Sequence, residues 1–348
     1  MVVYLGWDIG GVHTKVAALD ISDLGERRVR TAFASLAIWR EKDRLTGVIR
    51  ALRQRVAPPE HAIAAVTMTA ELADVFATKR EGVRYVLRCM VRACPQDRIV
   101  VLNTSGAFRP LADAMRHPLD FAATNWLATA LWAAATMRTC IVLDIGSTTT
   151  DIIPVRHGRV DARGRTDLDR LMCGELVYTG VIRTPVAALV RNVPLRGQRV
   201  PVAAEFFAVT GDVYLVLQRI SPGDYTGDTP DGRGKTRKDA ARRLARMVCA
   251  DPDQLSMREI VRIAWHVYRT QVTLIARAVR RILRRLGDAT PIPILPLGTG
   301  RFLAHDVAQR LRLPICALPT NWPEDTARIA PCMALAELLI RRDIGCVY

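Results

Sequence analysis

Apolar and polar positions fall into two matched patterns. The run Val3–Ile9, a short polar turn rich in glycine, and the apolar run Val16–Leu19 predict a β-hairpin. The same order returns at Ile141–Leu143, Asp144-Ile145-Gly146, a Ser/Thr turn, and Ile152–Val155. Aligned on Asp8 and Asp144, the copies lie 144 − 8 = 136 residues apart, with Thr14 and Thr150 in equivalent places. A supersecondary unit repeated at that distance points to a duplicated domain, not to a solenoid. Further strands are predicted at Ala64–Thr69, Ile99–Leu102 and Ile292–Leu297. Helices are predicted at Arg44–Arg55, Ala70–Phe76, Gly82–Ala93, Phe121–Met137, Lys238–Val248, Met257–Leu286 and Asp325–Arg342.

The Met257–Leu286 segment has the strongest helical period. Val261, Trp265, Tyr268, Val272, Ile275, Val279, Ile282 and Leu286 recur at spacings of three and four and predict one buried stripe. Arg277, Arg280, Arg281, Arg284 and Arg285 fall on another face, near the C-terminus, where they complement the helix dipole. No aromatic residues alternate with them, so a solvated face is favoured over a nucleic-acid surface. Between Val190 and Pro252 the periodicity loosens, and Ser221–Lys235 is polar and turn-rich. That stretch reads as an inserted loop, a place where substrate lids occur.

These patterns divide the chain into a first domain over 1–137 and a second over 138–348. The second carries the insertion at about 190–252 and a C-terminal connecting helix. A length of 348 residues fits two domains. The first strand begins at Val2 and leaves no room for a signal peptide. The most apolar segment, Phe121–Met137, is short of a bilayer span and interrupted by Thr124, Asn125, Thr129 and Thr136. A cytoplasmic protein without membrane contact is expected.

The eight cysteines are scattered, with no C-x-x-C pair, and read as thiols in a reducing compartment rather than a zinc site. Net charge is +16, and only Lys15, Lys42, Lys79, Lys235 and Lys238 are lysines among the fifty basic residues. Such a charge draws anions, including nucleotides and phosphorylated metabolites. Arginine enrichment that merely keeps the chain soluble is the competing reading.

The first candidate site is the turn after Asp8. Gly10 and Gly11 let backbone amides approach an anion, His13 could contact it, and Thr14 and Lys15 add a hydroxyl and a positive charge. A carboxylate at a strand end can hold hydrated Mg²⁺ against a phosphate. Asp144, Gly146, Ser147, Thr148, Thr149 and Asp151 form the second site, and Asp8, Asp144 and Asp151 are the candidate metal ligands. One D-x-G turn is weak evidence for phosphate binding. Two in matched strand contexts predict a two-sided clamp. Ile294–Leu297 runs into Gly298-Thr299-Gly300, a third backbone surface that could meet a nucleotide or another planar ligand.

In this order the three segments resemble the α/β fold of the actin, sugar-kinase and heat-shock chaperone superfamily, in which two RNase H-like domains are duplicated. The resemblance implies that the Gly298–Gly300 motif takes adenosine, making ATP a candidate ligand. It also makes Phe121–Met137 and Asp325–Arg342 connecting helices, packed through alanines such as Ala334 and Ala336. A closer resemblance rests on Gly6–Lys15, Met68–Leu72, Asn125–Ala128, Leu143–Asp151, Thr210–Tyr214 and Leu297–Gly300. There the chain resembles the hydantoinase/oxoprolinase-like proteins linked to tetrahydromethanopterin-dependent one-carbon metabolism, whose archaeal members act in methanofuran biosynthesis.

That resemblance implies a transferase. It would join an aminomethyl-furanmethyl diphosphate to the phenol oxygen of a glutamylated tyramine or related phenolic amine and release diphosphate. In a bacterial methylotroph the product would be methylofuran. A furan stabilises an adjacent CH₂⁺, so ionisation follows if Mg²⁺, loop amides and Lys15 neutralise the departing charge. Glu71 and Asp212, on resembling segments, are the candidate general bases. Glu71 reads equally well as a first-turn helix charge, and Asp212 as a turn residue. Asn125 is a candidate substrate contact, whereas core packing is favoured for Trp126. Two alternatives stay open: an ATP-dependent kinase or hydantoinase-like hydrolase, and a non-enzymatic nucleotide-gated scaffold. A homodimer is compatible with each.

Overall fold

The structure, a computed structural model, describes residues 2–21, 27–57, 61–288, 290–318 and 322–343. It divides into two compact units, Met1–Val142 with Ile153–Cys173 and Ala317–Tyr348, and Leu143–Ile152 with Gly174–Cys316.

The first unit opens with the antiparallel strands β1 (Val3–Ile9), β2 (His13–Ile21) and β3 (Arg27–Ser35), so the first predicted hairpin is present. The chain continues through α1 (Ile38–Glu41), α2 (Leu45–Val56), β4 (Ala62–Met68), α3 (Lys79–Ala93), β5 (Arg98–Leu102), β6 (Phe108–Pro110), α4 (Leu111–Arg116) and α5 (Asn125–Thr136). The sheet order is β3-β2-β1-β4-β5-β6, with β4 parallel to both β1 and β5. All seven β1 residues are buried, as a central strand covered on both faces requires. Leu45, Ile49, Leu52 and Val56 form the inward stripe of α2.

Next come β7 (Cys140–Ile145), β8 (Thr150–Arg156), β9 (Arg159–Val160), α6 (Asp167–Cys173), β10 (Leu176–Val177) and α7 (Val186–Leu189). They are followed by β11 (Asn192–Leu195), β12 (Gln198–Pro201), α8 (Thr210–Val216), α9 (Arg237–Arg246), α10 (Met257–Leu286), β13 (Ile294–Leu297) and α11 (Arg301–Leu311). The second sheet runs β10-β8-β7-β13, with β9 beside β8, while β11 and β12 pair separately. The last helix, α12 (Ala330–Asp343), packs on β1 and α5 and returns the chain to the first unit.

Several boundaries differ from the sequence reading. The division falls at residue 142 rather than 137, and residues 317–348 belong with the first unit because α12 lies against β1. Ala70–Phe76 is not a helix: only Ala70–Leu72 makes a 3₁₀ turn. The helix starts at Lys79, where Thr78 Oγ1 accepts from the Glu81 amide at 3.2 Å. Phe121–Met137 is interrupted at Ala123, whose φ of +51° ends one turn before α5 begins. The insertion holds a hairpin and two helices. Its Ser221–Lys235 loop buries Tyr225 and ties Asp231 Oδ1 to Arg243 at 2.9 Å, so two points of the loop are anchored.

The α10 stripe is buried at Tyr268, Val272, Ile275, Val279 and Ile282 and half-buried at Val261, Trp265 and Leu286. Arg285 is not a solvated charge, since it donates to the buried Glu175 carboxylate at 2.7 Å. Among the described residues the cysteines are unbridged, and Cys346 lies outside them. No helix among the described residues is long and apolar enough to cross a membrane.

Candidate active site

Asp8 is the penultimate residue of β1, in register with Lys15 on β2. Lys15 Nζ lies 3.6 Å from Asp8 Oδ2, whereas Asp8 Oδ1 is buried without a hydrogen-bond partner. Burial raises the Asp8 carboxyl above its ordinary range and Lys15 offsets this in part. The turn closes with a 2.8 Å hydrogen bond from the Gly10 amide to the His13 carbonyl. The Gly11 and Val12 amides make no backbone hydrogen bond among the described residues, and a Cβ at Gly11 would meet open space. Thr14 Oγ1 is buried and unpartnered, and His13 is half-buried. A buried carboxylate, a lysine and amides without a backbone partner are groups that could hold a metal-associated anion.

Glu71 sits beside this turn in the fold. Parallel β1 and β4 pair Ile9 with Met68, and the Thr69 amide donates to the Ile9 carbonyl at 2.9 Å. Asp8 and Glu71 thus occupy the C-terminal edge of neighbouring parallel strands, where open α/β sheets bind ligands. The next loop is tied in through Thr124 Oγ1, 2.8 Å from Thr67 Oγ1 and 3.1 Å from the Leu102 carbonyl. Asn125 follows, half-buried at the start of α5. Both Glu71 carboxylate oxygens are buried, with only strained approaches from the amides of Glu71 itself and Ala123. Burial pushes the group up to about 8, and Asp167 pushes the same way. Trp126, read from sequence as core, is buried, but its Nε1 is unpartnered and the Arg170 guanidinium stands 4.2 Å from its ring.

In the second unit Asp144 is likewise penultimate in its strand, and the Gly146 amide closes the turn on the Thr149 carbonyl at 2.9 Å. The Ser147 and Thr148 amides carry no backbone hydrogen bond among the described residues, and their hydroxyls are 3.5 Å apart. The third glycine segment comes directly against this turn: the Gly300 amide donates to the Ile145 carbonyl at 2.8 Å. A side chain at Gly298 would collide with the Asp144 carboxylate, and Gly298 holds φ at +80°. Glycine is therefore required here for close packing and for its left-handed backbone. Thr299 is half-buried between the two glycines, and Asp151 is buried on β8.

Gly180 also belongs to this site, although it has no periodic signal in the sequence. Its Cβ would come 2.5 Å from the Thr148 amide nitrogen. The following amides of Val181, Ile182 and Arg183 bond the carbonyls of Gly146 and Ser147 at 3.0 Å. Gln271 Nε2 and Thr210 Oγ1 in turn hold the Gly180 carbonyl at 2.8 Å and 3.0 Å.

Asp212 is corrected by its surroundings. One oxygen receives Arg243 at 2.8 Å and the other the Val209 amide at 3.0 Å, and both side chains are fully buried. Burial still pushes Asp212 up to about 6 against the pull of Arg243. With both oxygens engaged, it anchors α8 beneath the Gly180 loop. Among the described residues no three His, Cys, Asp or Glu side chains gather as a metal site. Mg²⁺ bound through a phosphate needs only one or two carboxylates.

The hydantoinase/oxoprolinase family profile matches residues 63–342. A curated protein of Methanocaldococcus jannaschii, (4-{4-[2-(gamma-L-glutamylamino)ethyl]phenoxymethyl}furan-2-yl)methanamine synthase, is 34% identical over 97% of this chain and 98% of its own. A protein of the same description from Methanococcus vannielii is 34% identical over 58% of this chain and 91% of its own. Among solved structures, the ethanolamine utilization protein EutJ from Carboxydothermus hydrogenoformans aligns over 96% of this chain and 90% of its own, at 13% identity and a TM-score of 0.47. With the family profile reaching from β4 to α12 and a curated synthase aligned end to end, this chain is an enzyme of the hydantoinase/oxoprolinase family.

Proposed function

We propose that the chain is a transferase that joins a furanylmethyl group to the phenol oxygen of a tyramine-type amine, forming an aryl ether and releasing diphosphate. The observation that carries this reading is the end-to-end likeness to a synthase whose product, by its printed name, is a phenoxymethyl-furan methanamine. The first turn suits the leaving group. Lys15 supplies a positive charge beside Asp8, and the Gly11 and Val12 amides, which carry no backbone hydrogen bond among the described residues, are further donors in the same turn.

The unpartnered Asp8 Oδ1 fits an Mg²⁺ ligand that needs few protein carboxylates. When bound there, Mg²⁺ would neutralise part of the diphosphate charge. The residues themselves orient the donor and hold the departing oxygens. The matched positions of Asp8 and Asp144 support reading the two units as duplicated RNase H-like domains of the actin/sugar-kinase/chaperone superfamily. On this reading the Gly298–Gly300 segment braces Asp144, and ATP is not consumed.

The test mixes the purified chain with a furanylmethyl diphosphate, tyramine or its γ-glutamyl conjugate, and Mg²⁺. Ether formation should match diphosphate release one for one. Product that appears only with ATP, together with equal ADP, would reassign the chain to an ATP-dependent reaction.

A further inference from the structure

Helix α6 is turned inside out. Leu168, Leu171 and Met172 are exposed, Met172 at 70%, while Arg170 is 1% exposed. A short helix that presents its leucines outward and its charge inward must cover something polar. It lies against Trp126 and the start of α3. Arg170 stands over the Trp126 ring, and Asp167, one turn earlier, pairs with Lys79 at 3.4 Å and adds negative charge to the surroundings of Glu71. Trp126 Nε1 is buried without a hydrogen-bond partner, and the buried Glu71 oxygens have only strained approaches from the amides of Glu71 itself and Ala123. Each such group costs roughly 1–3 kcal/mol if nothing else satisfies it.

Resting on the synthase reading, we infer that Glu71, Trp126 and Arg170 form the acceptor subsite, in which Glu71 takes the phenol proton and Trp126 Nε1–H holds the phenol oxygen. Arg170 is a positioning residue, fixing the indole through its face. A buried carboxylate and an unused indole donor are the pair a phenol needs, since it donates one hydrogen bond and accepts another. Glu71 and the first turn follow the C-terminal ends of the adjacent parallel strands β4 and β1, an arrangement suited to an acceptor and its donor.

The step balances. The phenol O–H bond breaks and its proton passes to a Glu71 oxygen. The phenol oxygen's electron pair forms the bond to the furanylmethyl carbon, and the carbon–oxygen bond to diphosphate breaks with its pair leaving on diphosphate. Glu71 then returns its proton to water. Burial and Asp167 raise Glu71, while Lys79 and the nearby amides of Glu71 and Ala123 pull it down, leaving it at about 8. That basicity approaches a phenol's and suits proton transfer near neutral pH.

Steady-state kinetics on the full chain between pH 6 and 9.5 tests this. No ether from the wild type under any condition would overturn the synthase reading, and the subsite with it. With an active wild type, kcat should rise with pH to a plateau above about 8. Glu71→Gln should lower kcat by at least ~100-fold and abolish that rise. A nitro-substituted phenol, already ionised at the assay pH, should recover most of the lost rate in that variant. Trp126→Phe, which keeps a ring beneath Arg170, should raise the acceptor KM about tenfold with an unchanged melting temperature. Wild-type kcat and pH profile in Glu71→Gln, or no advantage for the ionised phenol, would overturn the assignment. Should Glu71→Gln fail to fold, an unchanged acceptor KM in Trp126→Phe and a wild-type profile flat near pH 8 would do the same.

Discussion

Gly6 and Cys332 touch backbone to backbone: a Cβ on Gly6 would fall well inside van der Waals contact with the Cys332 carbonyl oxygen. This contact seats α12 on β1, two residues from Asp8 along the same strand. Strand, helix and turn are therefore one packing problem. Gly6→Ala should destabilise the first unit by about 1–3 kcal/mol or more, because the interior cannot yield to an added methyl. Urea unfolding of the variant measures it. A midpoint equal to wild type would mean that α12 is free to shift and that the close approach is not required.

Asp8 should show the trade of stability for function expected of a charge buried for catalysis. Its Oδ1 is desolvated and unpartnered, so Asp8→Asn removes an unfavourable burial without changing shape. The variant is expected to melt at or above the wild-type temperature and to lose turnover by ~100-fold or more. A variant that melted lower yet kept its rate would make Asp8 a structural partner of Lys15 and nothing further.

The neighbouring Lys15 separates chemistry from binding. If it stabilises the leaving group, Lys15→Ala should lower kcat by ~10–100-fold and leave the acceptor KM within about twofold. A raised acceptor KM with unchanged kcat would place Lys15 in uniform binding instead.

How much of this could be read from the chain depends on the kind of signal. The two hairpins, α10 and the alanine-rich packing of α5 and α12 were legible because periodicity and a repeated D-I-G turn are local. Thr78-Lys-Arg-Glu81 was a capping signal within reach of the sequence, and it places the start of α3 more accurately than the apolar period does. Gly180 was not legible, since its need for glycine comes from Thr148, thirty-two residues away in sequence (180 − 148). Nor was Glu337, which accepts from Trp132 Nε1 at 2.9 Å and from Trp322 Nε1 and Arg27 at 2.5 Å. Such a buried hub is defined by partners that only the fold assembles.

The pH dependence of stability gives a second, assay-independent view of Glu71. Its folded value, about 8, lies above the ordinary 4.5, so ionisation favours the unfolded chain. The stability this group leaves intact is complete below about pH 4.5 and is lost as pH rises toward 8. Between pH 6 and pH 9 the wild type should therefore fall behind Glu71→Gln by about 3 kcal/mol, an order-of-magnitude figure. Parallel melting curves for the two proteins across that range would show that Glu71 is solvated or paired.

Asp212 and Glu71 began as equal candidates for the base, and their surroundings set them apart. Asp212 is held by Arg243 and the Val209 amide, and Arg243 is held further by Asp231 and the Gly234 carbonyl at 3.1 Å. Truncating one member of such a buried pair strands the other, so Arg243→Met should cost about 3–5 kcal/mol. Asp212→Asn keeps the shape and one acceptor, and it should lower stability while leaving kcat per folded molecule within about twofold. The α8 terminus it anchors supports the Gly180 loop, so severe loosening would show first as a rise in the KM for the diphosphate substrate. The decisive comparison is the rate of Asp212→Asn, corrected for its folded fraction from a melting curve, against that of Glu71→Gln. A ~100-fold loss of kcat in fully folded Asp212→Asn would return Asp212 to the chemistry and remove Glu71 as the sole candidate base.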